Sequence, residues 1–281
     1  MLVKLRDGTS FELSIVPLRE IKPHEATIPK ILDSLVEDLR RTREQRDPII
    51  IDKKTHVALD GMHRRSALEK LDAKFTVCAE FDYLEDSVKL ERWLRYFIAP
   101  SEEFHLKLVS LLKLRQSKNF REAAKEVDLE RSELALLSAA NSYVSDRQWK
   151  IFEVYDALGQ IDQLCSDYKI ELEFTTESSK FEMFTSESVH VIYPEKLTKK
   201  DVLEMVRENR VFPCKTTRHI VPVRPMGVFF PLENLQNSSE SECSEKLESI
   251  VNLSKIEIER REVWYEGRRY SEPLAIFRRT R

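Results

Sequence analysis

The chain has 281 residues, 41% of them hydrophobic and 34% charged, with a formal net charge of −3. That length supports one large domain or two small ones with real cores, and the near-balanced charge leaves no overall field for nucleic acid or an anionic membrane. No apolar run reaches the roughly 20 residues of a bilayer span, the N-terminus lacks a secretory signal, and Cys78, Cys165, Cys214 and Cys243 have neither metal-ligand nor redox spacing. A cytoplasmic protein with reduced thiols, and without a zinc site, is expected.

In chain order, residues 2–5 and 11–18 predict a hairpin turning at Asp7-Gly8. Ile31, Leu32, Leu35, Val36 and Leu39 form a helical stripe within 28–43. Residues 48–51 and 55–59 read as short strands, 65–71 as a helix and 75–81 as a strand. This order predicts a compact α/β or α+β domain of about 100 residues. From 101 to about 165 the pattern predicts helices, with Leu106, Val109, Leu111, Leu112 and Leu114 as one stripe. Short strands are expected at 170–174, 181–184 and 189–193, and a helix at 197–209. Residues 213–225 are punctuated by proline, which excludes a regular central strand throughout. Residues 236–249 read as an acidic linker, and the tail from Lys255 as a basic hairpin turning at Glu266-Gly267.

Between two of these elements lies Asp60-Gly61-Met62-His63-Arg64-Arg65. Glycine allows a tight strand-to-helix turn, which leaves backbone N–H groups open to phosphate oxygens at a helix N-terminus. A carboxylate, an imidazole and two guanidiniums crowd the same turn, a combination suited to a metal-bound nucleotide. Two other clusters carry histidine: His24 beside Glu25, and Cys214-Lys215-Thr216-Thr217-Arg218-His219. The second packs ammonium, hydroxyl, guanidinium and imidazole donors into six residues, a set for phosphate or carboxylate. Taken singly, each cluster also reads as a solvated loop.

Four segments carry a resemblance to known proteins. Lys22-Pro23-His24-Glu25 matches a Lys-Pro-His-Glu loop, and Asp60-Gly61-Met62-His63-Arg64 matches an Asp-Gly-His-His-Arg turn. Asp82-Tyr83 through Val88-Lys89 to Trp93 matches in spacing. So does the closing segment from Leu197-Thr198-Lys199-Lys200 through Val211-Phe212 to Lys215-Thr216-Thr217-Arg218-His219. The first 100 or so residues resemble the ParB/sulfiredoxin superfamily, and the pattern through Leu235 resembles the archaeal free serine kinases.

The resemblance implies an α+β fold: a ParB/sulfiredoxin-like nucleotide-binding domain at 1–98, and a mixed α/β domain at 99–235 closing over the cleft. Residues 236–281 would be an extension of acidic linker and basic hairpin. It also implies transfer of a phosphoryl group from ADP or ATP to the hydroxyl of free L-serine, with Mg2+ or another divalent metal. Glu25 would be the general base. Asp60, Gly61, Met62, His63 and Arg64 would hold the donor phosphates, with Asp60 reaching the metal directly or through water. His24, Trp93, Lys215, Thr216, Thr217, Arg218 and His219 would hold serine and its product. L-serine and a nucleotide are the implied partners; no membrane is expected, nor nucleic acid. The plain alternatives are a helix-start acid for Glu25 and a core aromatic for Trp93.

Two departures stand out. Met62 replaces the first histidine of the family turn, which leaves the choice between ADP and ATP open, and nothing beyond 235 has a counterpart in the family. A sulfiredoxin needs cysteine where Met62 stands, and a thioether cannot form its thiol-based intermediate. A ParB-like DNA-binding protein remains as an alternative because residues 120–140 faintly resemble a helix-turn-helix, although bases barely exceed acids over residues 101–150. A kinase for another small hydroxy compound remains as well.

Overall fold

The computed structural model describes residues 1–5, 8–98, 101–146, 149–177, 188–260, 263–265 and 268–279. It is a mixed α+β protein with two compact units interleaved in sequence. The first comprises Met1–Lys89, Lys199–Val211 and His219–Arg281; the second comprises Leu90–Thr198 and Phe212–Arg218. No helix among the described residues is long and apolar enough to cross a membrane.

The first unit is built on a five-stranded sheet ordered Leu2–Lys4, Ser10–Pro17, Phe75–Phe81, Ile49–Asp52, Ala58–Asp60. Phe11, Leu13 and Ile15 alternate inward along the second strand, as the two-residue period of a half-buried strand requires. Ile49–Asp52 runs parallel to Phe75–Phe81 and is buried at every position. The helix Pro29–Thr42 begins on proline, whose missing N–H costs nothing there, and closes on Arg43 at φ +59°. It buries Leu32, Val36 and Leu39 and packs on the helix Met62–Lys70, while Ile31 of the predicted stripe is exposed. The hairpin turn is placed through Gly8, Asp7 lying outside the described residues.

The stretch expected to be an acidic linker is ordered. Ser239 caps a helix, Glu240–Asn252, and Glu242 returns the bond in a capping box. Cys243, Leu247 and Val251 form its buried face. A run of Ser and Glu has the composition of a linker, but here it supplies a cap and a solvated face while three apolar residues at helical spacing do the packing. The tail is equally integral. Leu274–Arg279 pairs antiparallel with Ser254–Glu259 and parallel with Arg224–Met226, with Leu274, Ala275, Ile276 and Phe277 all buried. Val263–Tyr265 and Arg268–Tyr270 pair as the predicted hairpin, whose tip at 266–267 lies outside the described residues.

The second unit carries a sheet whose main run is Glu173–Thr176, Lys89–Ile98, Val189–Pro194, Leu134–Ser138, Ser142–Ser145, Leu114–Ser117. Here the helical expectation for 101–165 fails in part. Helices Glu102–Leu111, Phe120–Asp128 and Ile151–Asp167 alternate with three strands. Leu134–Ser138 is a five-residue run buried at every position, and a short apolar run fits a buried strand as well as a helix. The buried face of the first helix is Phe104 and Leu108, with Leu112 just beyond it, whereas Leu106 and Leu111 of the predicted stripe are exposed. The helix-turn-helix reading of 120–140 also fails: one helix, capped by Asn119, is followed by that central strand and not by a second helix. The strand expected at 181–184 lies outside the described residues.

Candidate active site

In the first unit, Gly61 caps the helix Met62–Lys70 at φ +100°. A Cβ there would stand 2.9 Å from Arg64 Nη1 and 3.4 Å from Ile49 Cα. The turn therefore favours glycine on conformational grounds, with the Arg64 guanidinium having to shift to admit a Cβ, and it leaves the first helical N–H groups without intrahelical partners. Gly61→Ala is expected to cost about 1–3 kcal/mol, read as a lower urea midpoint at unchanged slope. A midpoint equal to wild type would mean that the turn relaxes freely.

The side chains of this turn are already committed to framing it. Arg64 Nη1 donates to the Pro48 carbonyl at 2.6 Å. His63 Nε2 accepts from the Ile28 N–H at 2.9 Å, which fixes a ring with an unprotonated Nε2 and ties the turn to the start of Pro29–Thr42. Met62 is buried, so it shapes the turn by packing.

His24 and Glu25 reach the same region through backbone pairing. The Lys22 amide donates to the His56 carbonyl and the Ala58 amide to the Lys22 carbonyl, both at 2.9 Å. His24, wholly buried, bonds through Nδ1 to the Ala58 carbonyl at 2.5 Å, and its Nε2 lies 3.9 Å from Glu25 Oε1. With the proton on Nδ1, Nε2 faces the carboxylate as a lone pair. Glu25 is only 7% exposed and sits four residues before a helix with no acid in its first turn. Glu25 thus stands ahead of the helix and outside its first turn. The His24 ring meets His219 edge to face at 5.1 Å, and His219 Nε2 lies 2.8 Å from the Tyr83 hydroxyl. Asp60 is bound by the buried Arg224, which also holds Glu272.

Burial lowers the His24 imidazole below its ordinary 6.5, partly offset by Glu25. Burial lowers His219 much further, with His24 adding to the effect. Both rings are neutral in the folded protein at pH 7, whereas unfolded rings start to bind protons as pH falls through about 6.5. The unfolded state then holds more protons, so this contribution to stability is complete above that pH and is lost toward the lowered folded values. Thermal melts are expected to show a lower midpoint at about pH 5.5 than at about pH 7.5. His219→Gln should reduce that difference; an undiminished pH dependence in the variant would clear His219 of the effect.

In the second unit, the other predicted cluster gathers on Trp93. Its amide donates to the Thr216 carbonyl at 3.2 Å, Lys215 Nζ lies 4.9 Å from its ring centroid and Arg218 Cζ 5.7 Å from it. Two cations over a half-buried indole are a cation–π arrangement and not the packing of a core aromatic. Arg218 is held by Glu91 at 2.7 Å, and Thr216 Oγ1 donates to the Pro213 carbonyl at 2.8 Å. Thr217 is buried. Lys215 sits at φ +56°, a conformation that needs external support. That support is Arg95, buried, which grips Asp162 through two bonds of 2.6 and 3.0 Å and donates to the Cys214 carbonyl at 2.8 Å.

Among the described residues no group of three or more His, Cys, Asp or Glu side chains is placed to hold a metal ion. Asp60, about a quarter exposed at the turn and paired with Arg224, offers a single carboxylate, the donor type that magnesium takes when it arrives on nucleotide phosphates. Sequence reasoning missed Tyr83 as a partner of His219, Arg224 and Glu272 behind Asp60, and Arg95 with Asp162 behind Lys215. Tyr83 stood in a matched segment, but its partner lies 136 residues away.

The protein is of the α+β class, and its first unit sets a glycine-capped helix start beside a buried carboxylate and neutral imidazoles. No protein-family model matches the chain. In sequence it is 28% identical over 231 residues to the ADP-dependent L-serine kinase SerK of Thermococcus kodakarensis, covering 78% of this chain and 91% of that one. It is 23% identical over 238 residues to an ATP-dependent L-serine kinase of Staphylothermus marinus, covering 79% and 90%. In fold it matches a free serine kinase in complex with AMP at TM-score 0.67 and 26% identity, covering 79% of this chain and 93% of that one. A variant of a free serine kinase with one glutamate replaced by glutamine, also with AMP, matches at TM-score 0.69 and 26% identity, covering 79% and 93%. The chain is thus similar to the archaeal free L-serine kinases in sequence and fold over about four-fifths of its length.

Proposed function

We propose that this protein is a free L-serine kinase, transferring a phosphoryl group from ADP or ATP to the hydroxyl of L-serine to give O-phospho-L-serine. The observation that carries the reading is the joint similarity, in sequence and in fold, to L-serine kinases across nine-tenths of their own length. Relatives named for ADP and for ATP both occur, so either donor suits the chain.

Glu25 takes the proton of the serine hydroxyl as its oxygen forms the new bond to phosphorus, and the bond from phosphorus to the departing AMP or ADP breaks. Neutral His24 borders that carboxylate without placing a competing positive charge on it. The donor phosphates sit on the Gly61 turn, where the helix N-terminus supplies N–H donors and Arg64 and His63 hold the turn in shape. Met62 contributes packing. Asp60 is the residue that would hold Mg2+ or another divalent ion, whose chemistry is to neutralise phosphate charge. Trp93 with Lys215, Thr216, Thr217 and Arg218 supplies cationic and hydroxyl contacts for serine and its phosphorylated product, and His219 supports His24. In phosphoryl transfer, alignment of this kind supplies much of the rate, on the order of 7–11 kcal/mol.

The test is an assay of purified protein with ADP or ATP, Mg2+ and a panel of hydroxyl acceptors. Release of AMP or ADP only with L-serine, together with phosphoserine, is the expected result. Release with a different acceptor alone would remove serine and leave a kinase.

A further inference from the structure

Arg224 joins three segments that are remote in sequence. Its Nε donates to Glu272 Oε1 at 2.6 Å, its Nη1 to Asp60 Oδ2, and its Nη2 to the His219 carbonyl at 3.3 Å. The guanidinium and Glu272 are both buried, whereas Asp60 is about a quarter exposed. The backbone fixes this arrangement from the tail: the Arg224 amide donates to the Pro273 carbonyl at 2.8 Å, and Arg224 pairs with Leu274. The Tyr270 ring adds a cation–π contact at 5.6 Å. One cation therefore serves two carboxylates, one sealed and one at the phosphate turn.

We infer that Glu272 is a positioning residue for the turn, acting through Arg224 to keep net negative charge on Asp60 for a divalent metal–nucleotide complex. The inference rests on the kinase reading of the turn given above. Without Glu272, the whole charge of Arg224 would fall on Asp60 and the pair would be neutral. With Glu272 in place, Arg224 is already compensated from behind, while its planar fork still orients Asp60. The turn then keeps one excess negative charge at its partly exposed carboxylate, where a phosphate-borne metal neutralises it. The tail is in this way part of the nucleotide machinery of its unit.

The sign of the effect separates this role from a merely structural one. Glu272→Gln preserves the shape and an acceptor oxygen while removing the charge. It is expected to weaken equilibrium binding of Mn2+·ADP by about tenfold, while metal-free ADP, itself an anion, binds as well as to wild type or better. The KM for L-serine should stay close to wild type, whereas the melting temperature should fall, because the buried Arg224 loses one of its two charged partners. Affinities for Mn2+·ADP and metal-free ADP that fall together, or that both stay unchanged, would overturn the inference. If Glu272→Gln fails to fold, Glu272→Asp, which keeps the charge on a shorter stem, must retain the preference for metal-bound over free ADP, and loss of that preference overturns the inference too. A wild-type protein that binds ADP equally with and without Mn2+ removes the metal role of Asp60 and this inference with it. A wild-type protein that prefers Mn2+·ADP yet forms no phosphoserine defeats only the serine-kinase reading.

Discussion

Glu25→Gln is expected to lower kcat for phosphoserine formation by roughly 10²–10⁴-fold, the usual worth of a general base. The glutamine keeps the size and acceptor capacity of the side chain but cannot take the serine proton. Glu25 is buried beside His24, so the substitution changes proton chemistry with little change in packing. Nucleotide affinity and melting temperature should therefore stay close to wild type. The measurement is single-turnover phosphoserine formation at saturating donor and serine, paired with equilibrium ADP binding. Turnover within a factor of two of wild type would take Glu25 out of the mechanism. A parallel collapse of ADP binding would give it a different role.

Phe277→Ala is expected to destabilise the first unit by about 3–5 kcal/mol. Phe277 is among the largest fully buried side chains, meets the Phe11 ring at 6.3 Å in an edge-to-face contact, and its carbonyl closes on Gly227. Its removal leaves a cavity between a strand near the N-terminus and the last strand. Urea unfolding followed by far-ultraviolet circular dichroism would read the loss. A change below about 1 kcal/mol would show that the tail is dispensable to the core. The outcome bears on residues beyond 235, which read from sequence as an appendage.

Several elements were legible because their signals are local. The Phe11, Leu13, Ile15 alternation, the proline-started helix at Pro29–Thr42 and the glycine turn each carry their structure within a single element or turn. His24, Glu25 and Asp60 were legible as polar clusters at element ends, and the backbone pairing of Lys22 with Val57 explains why the first two come to lie by the third. Leu134–Ser138 was not legible, because a short apolar run has no period that distinguishes strand from helix. The helix Glu240–Asn252 was hidden by composition, since Ser and Glu mark linkers and helix caps alike. Arg224 and Glu272 gave no local signal at all: Asp60 meets Arg224 across 164 residues, and Arg224 meets Glu272 across 48. Arg95 and Asp162 are of the same kind, a strand residue and a helix residue joined only by the folded chain.

The parallel pairing of Arg224–Met226 with Leu274–Arg279 bears on how the protein comes off the ribosome. The first unit starts with the strand Leu2–Lys4 but needs the final strand to seal its core, and the whole stretch Leu90–Thr198 is synthesised in between. The early sheet must therefore wait with apolar surface uncovered, a state open to aggregation, while the second unit lacks only Phe212–Arg218. Folding during synthesis would then be completed first in the unit of Leu90–Thr198 and Phe212–Arg218, and later in the unit that Leu274–Arg279 joins. Nascent chains stalled before Leu274 should consequently depend on chaperones in a way that the released protein does not.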